Sequence, residues 1–131
     1  MEALLDYLFL LGRILYGGFF VVSGINHFRH LSMMAGYAGF KGVPAPKAAV
    51  IVSGLLILLG GLGVVLGVYP ECSVACITLF LVPVTAMMHR YWEIADPQAR
   101  IGDRVNFEKN IALLGGGLML LMIPQPWPLS L

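Results

Sequence analysis

The chain has 131 residues, a formal net charge of +1, 59% hydrophobic and only 11% charged residues, and a mean hydropathy of +0.87. That composition excludes an ordinary water-soluble domain, and eight Lys+Arg against seven Asp+Glu leave no basic field for a nucleic-acid partner. Two cysteines, Cys72 and Cys76, cannot build a disulfide framework, and no Cys/His zinc pattern exists.

Four long apolar stretches use nearly the whole chain as spans of roughly 20 residues each, the length that crosses a ~30 Å hydrocarbon core. The expectation is one all-α transmembrane domain over 1–131, an antiparallel four-helix bundle in lipid. The first span, about 7–27, holds LGRILYGGFFVVSGINHF (11–28), apolar except at Arg13, Ser23 and Asn26. It begins behind Glu2 and Asp6 rather than a basic n-region, so it reads as a retained helix and not as a cleaved leader. The second, about 48–68, follows VPAPK (43–47), where Pro44 and Pro46 impose an extended approach. The third, about 73–92, carries Pro83 at mid-span, which frees a backbone carbonyl. The fourth, about 107–123, stops at PQPWP (124–128) and reaches the interface with little tilt or through a frayed turn.

Lys and Arg set the orientation, because short cytoplasmic loops hold them in excess. Arg29, Lys41 and Lys47 lie in loop 28–47. Arg90, Arg100, Arg104 and Lys109 lie in or beside loop 93–106. The termini and the Pro70–Glu71 turn hold none. A cell inner membrane with both termini outside and both long loops cytoplasmic is the expected topology, with Tyr91–Trp92 and Trp127 as interfacial anchors. Glycines inside the spans, Gly12, Gly17, Gly18 and Gly24 in the first, Gly60, Gly61, Gly63 and Gly67 in the second and Gly115 to Gly117 in the fourth, let helix backbones approach where lipid gives no hydrophobic drive. GGLGVVLG (60–67) lacks the preceding strand of a dinucleotide loop and belongs to that packing.

Arg13 is an intramembrane cation and must be paired or drawn to an interface. Two roles stay open for it. As an anchor it leans outward to Asp6 or Glu71. As a site residue it turns inward to Thr78, Thr85 or carbonyls near Pro83. His27, His30 and His89 gather towards the cytoplasmic end. There they serve as interfacial packing, as a polar contact to a quinone carbonyl, or as haem or metal ligands, the last disfavoured without paired histidines at a defined spacing. Cys72 and Cys76 share a face one turn apart, as small apolar residues or as a pair needing an unwound first turn to join. Asn110, at the start of the fourth span, caps backbone donors or bonds across to His89 or Asn26. No nucleophile triad, paired carboxylates or phosphate loop is visible, so no catalytic residue is assigned.

The Arg-bearing first span with SGINHF, the VPAP approach to a glycine-rich second span, HRYW closing the third and NFEKNIALLGGGLML (106–120) opening the fourth together resemble the DoxX family of small four-helix membrane proteins. The resemblance extends over almost the whole chain, and the fourth-span run is its most specific part. Ser53 stands where many relatives carry a glutamate. The resemblance implies a link to redox systems: thiosulfate:quinone oxidoreductase subunits, or membrane partners of sulfurtransferase and superoxide-detoxifying enzymes. It points to Arg13, His89, Lys109 and Asn110. The resulting expectation is a small subunit or partner of a quinone- or sulfur/thiol-linked membrane complex, with Arg13, His89 and Asn110 lining a pocket for a quinone. A non-catalytic scaffold docking onto a larger complex or onto copies of itself is the alternative, and a small carrier is weaker still.

Overall fold

Proline and glycine punctuate the chain into helices, and the computed structural model, which describes Met1–Leu131, follows that punctuation. Helix α1 spans Glu2–Arg29, α2 Leu31–Phe40, α3 Pro46–Leu66, α4 Pro70–Met88 and α5 Pro97–Leu120, with a single 3₁₀ turn at Tyr91–Glu93. Pro46, Pro70 and Pro97 each occupy the first turn of their helix, where a missing N–H costs nothing. Gly67 closes α3 with φ of 73°, a left-handed cap that suits a residue without Cβ.

The protein is all-helical. Three of its helical segments, Glu2–Arg29, Pro46–Leu66 and Pro70–Glu93, are long and apolar enough to cross a membrane. A lipid bilayer is the environment these apolar faces suit, since Leu4, Leu8, Leu11, Leu15 and Val22 of α1 are all exposed on the protein surface. The fourth apolar stretch is embedded in a longer helix than expected. Asp96 caps α5 by accepting a bond from the Ala99 N–H at 3.0 Å, and Arg104 pairs with Glu108 at 2.8 Å one turn on. Helix therefore extends back through the charged QARIGDRVN segment (98–106) that reads as loop, and α5 is not among the three apolar candidates. Loop 28–47 is likewise interrupted, by the ten-residue α2.

Helix α1 packs along α3, α3 along α4, and α4 along α5, with α2 folded onto α3. Glycine closes the first contact to backbone distance. A Cβ added at Gly17 would lie 2.6 Å from the Gly61 carbonyl, and one at Gly61 would lie 2.6 Å from the Gly17 carbonyl. No other residue fits either place. On α5 only Gly117 is so used, against the Tyr16 hydroxyl, whereas Gly115 faces open space. Tyr16 ties α1 to α5 by donating to the Leu113 carbonyl. Phe20, Ile57, Val64, Ile77, Leu81 and Trp127 form the central cluster. Trp127, at 2% exposure, belongs to this core rather than to an interfacial belt. The chain after α5 turns back and lays the indole edge-on against Phe9 at 5.4 Å.

Candidate functional site

The molecule has two ends with different polar chemistry. At one, the last turn of α3 leaves carbonyls that no further helical turn can satisfy. Arg13, only 1% exposed, supplies the donors: Nε bonds Val64 O at 3.1 Å and Nη2 bonds Val65 O at 2.9 Å. Nη1 donates to Pro128 O in the C-terminal segment, and the Leu131 N–H donates to Leu66 O at 3.0 Å. The guanidinium also lies 5.6 Å from the Phe9 ring centre and 5.8 Å from that of Trp127. The outward anchor expected for Arg13 is therefore overturned. It turns inward and pairs with neither Asp6 nor Glu71. Its partners are not Thr78, Thr85 or carbonyls near Pro83, but the negative end of a helix dipole and the returning tail, while Ser53 lies at the other end of α3 beside His27.

At the opposite end, Arg90 of the segment after α4 donates to the Lys41 carbonyl at 3.2 Å, so the two cation-rich connections meet there. His89, the C-cap of α4, holds Asp103 of α5 through Nδ1 at 2.8 Å from Oδ1. A carboxylate can only accept, so Nδ1 carries the proton and Nε2 is the free ring nitrogen when one proton is present. Three buried polar atoms at or near this end make no hydrogen bond: Asp103 Oδ2, Thr85 Oγ1, one turn before His89, and Arg90 Nε, which has only an ion-pair contact to Glu93 Oε2 at 3.6 Å. Nearby, Arg104 is exposed and is held further above the usual guanidinium range by its hydrogen bond to Glu108 and that residue's charge.

Asn110 is buried on α5, but it caps nothing, because the helix begins at Pro97, and no hydrogen bond joins it to His89 or Asn26. It stands seven residues beyond Asp103 on the same face, about 10 Å along the axis. His89 and Asn110 are consequently not at matched depth. Asp103, Asn110 and Gly117 are the three buried residues of α5 and recur every seven positions. That spacing was the available signal for Asp103, hidden as long as Asp103 was assigned to a loop. Lys109 lies outside this seam, 5.3 Å from the Phe19 ring centre. Arg13, His89 and Asn110 do not converge on one pocket.

A cavity lies elsewhere, between the end of α1, α2, α3 and α4. It has a volume of about 260 Å³ and is mostly apolar, lined by Phe80, Pro83 and the methionines Met34, Met87 and Met88, with His27 and Ser53 as its polar members. His27 donates from Nδ1 to the Ser23 carbonyl at 2.7 Å and packs edge-on to Phe80 at 5.8 Å. Sequence reasoning left His27 among interfacial histidines, because nothing in the sequence places α2 over it. His30 is exposed between α1 and α2. Cys72 and Cys76 are free thiols on a helix that is regular from Pro70, so no unwound turn brings them together.

The DoxX family model matches residues 8–90, from the first turns of α1 through the HR pair after α4. The match includes Arg13, His27, the cavity and His89, and it stops before the α5 run that carries much of the resemblance. Comparison with curated proteins and with solved structures gave no match.

Proposed function

Because the chain belongs to the DoxX family, we propose that it works in the inner membrane as a small subunit or partner of a quinone- or sulfur/thiol-linked redox complex. In this reading the whole chain is one transmembrane domain, an antiparallel bundle in which the second half of α5 completes four spans. Both termini lie outside and the His89 end faces the cytoplasm. The observation that carries the proposal is the His89–Asp103 pair with its unpartnered Oδ2. Quinone reduction takes up protons with electrons, and an imidazole oriented by a carboxylate at a membrane face is a suitable proton donor and acceptor. Asn110 supplies a polar group deeper on the same face of α5. Arg13, with donors already on three carbonyls, holds the opposite end closed.

The test is purification of the native chain with its co-migrating proteins, an optical spectrum, and quinone-reduction turnover of the assembly. Asp103→Asn and His89→Gln are expected to leave assembly intact and to lower turnover by roughly 10²-fold. Full turnover in both variants would refute the redox role. Reporters fused at either terminus are expected on the outer side, and probes near Lys41 or Arg100 in the cytoplasm.

The scaffold reading has one observation of its own. Gly12 and Gly18 on α1 and Gly115 on α5 face space empty to 4 Å, places where another helix backbone can approach. Under that reading, bulky residues at Gly12 or Gly18 would detach the chain from its complex or from a second copy, and the His89 variants would have no effect.

A further inference from the structure

We propose that the cavity headed by His27 is a binding site for a small lipophilic phenol, an apolar aromatic ring bearing a free hydroxyl. Its two polar side chains have both turned their donors onto backbone carbonyls. The His27 Nδ1–H goes to Ser23 O at 2.7 Å and the Ser53 hydroxyl to Val50 O at 3.1 Å. What they present to the cavity is acceptor capacity alone, the Nε2 lone pair of the singly protonated ring and the lone pairs of Ser53 Oγ. A molecule with only carbonyl or ether oxygens would find no donor there, whereas a hydroxyl would. The rest of the lining selects a ring. Three methionine thioethers and Phe80 surround the space, and thioether sulfur packs favourably against aromatic edges.

Size and access agree with that occupant. A cavity of roughly 150 Å³ suffices for benzene, so about 260 Å³ accommodates a phenol ring with a short alkyl substituent. Val52 and Leu79 on the rim are 56% and 63% exposed, so the site opens onto the apolar phase around the helices, where such a molecule concentrates. The site uses neither His89 nor Asp103 and stands independently of the redox reading.

The probes are 4-butylphenol and its methyl ether, 4-butylanisole, titrated against the purified full chain in detergent micelles, with protein-free micelles as the reference for partitioning. The expected result is saturable binding of one phenol per chain, about ten-fold tighter than the ether, the difference one directed hydrogen bond makes. His27→Phe should bring the two probes within about two-fold of each other, and Ala49→Phe, which fills the space, should abolish saturable binding of both. If His27→Phe does not fold, Ser53→Ala should still weaken the phenol by two- to three-fold and leave the ether unchanged. Equal affinity of phenol and ether for the native chain, as a site for a lipid acyl chain would give, overturns the proposal. So does undiminished phenol binding to Ala49→Phe.

Discussion

The two ends of this protein treat their buried polar groups in opposite ways. Around Arg13, the carbonyls of Val64, Val65, Leu66 and Pro128 each receive a donor, and the guanidinium is wrapped by Phe9 and Trp127. At the other end, Asp103 Oδ2 and Thr85 Oγ1 are left without a hydrogen bond, and Arg90 Nε has only an ion-pair contact to Glu93 at 3.6 Å. A buried polar group without a partner is costly, so complete satisfaction marks a structural clasp, and incomplete satisfaction marks a place where another molecule or a proton is accommodated. An intramembrane arginine is ordinarily the first residue suspected of function. Here the geometry assigns it to holding the chain together, and the less conspicuous aspartate is the better site candidate.

The strongest way to break this contrast is to remove the clasp. Arg13→Met should destabilise the protein by about 3–5 kcal/mol, because three buried or partly buried carbonyls lose their donor at once. Arg13→Lys should lose about half as much, since a single ammonium cannot serve carbonyls on two segments with the spread of a planar fork. Thermal and denaturant unfolding in micelles checks both, and a Lys variant as stable as the native chain would return Arg13 to the role of an interfacial anchor. Deleting residues 127–131 removes the buried Trp127 and the Pro128 acceptor and should cost about 2–4 kcal/mol. It should also expose the Arg13 end to hydrogen exchange while leaving the His89 end unchanged.

The opposite end should respond weakly in stability. Asp103→Asn keeps the shape and an acceptor for His89, so the change should stay below about 1 kcal/mol. Under the proposed redox role its effect appears in quinone-reduction turnover instead. Thr85→Val removes an orphaned hydroxyl in favour of an apolar group of the same shape and should be neutral or stabilising by up to about 1 kcal/mol. A loss of more than 2 kcal/mol in unfolding experiments would show that Thr85 has a partner and that this end is another clasp.

Much of the helical framework was legible. Pro46 and Pro70 mark the starts of α3 and α4, and runs of apolar residues give α1, α3 and α4 because hydropathy depends on side chains alone, whereas Gly67, read as a packing glycine, is the cap that ends α3. Gly17 and Gly61 were readable as contact points, although Gly12 and Gly115, of the same residue type, face outward. The site was less legible. Asp103 reads as a loop residue because QARIGDRVN (98–106) is charged, and charge says nothing against a helix capped by Asp96 and stiffened by the Arg104–Glu108 pair.

The sequence by itself determined an all-helical protein suited to lipid, with its cations gathered on the connections that meet at one end. Those properties are sums over side chains and need no knowledge of which helix lies beside which. Only the tertiary structure decided what Arg13 binds, that Trp127 is core, that His27 heads a cavity under α2, and that His89 meets Asp103. Each of those contacts joins segments distant in the chain. The partners of Arg13 are backbone carbonyls, which every residue possesses, and only the end of α3 and the returning tail leave the right ones free.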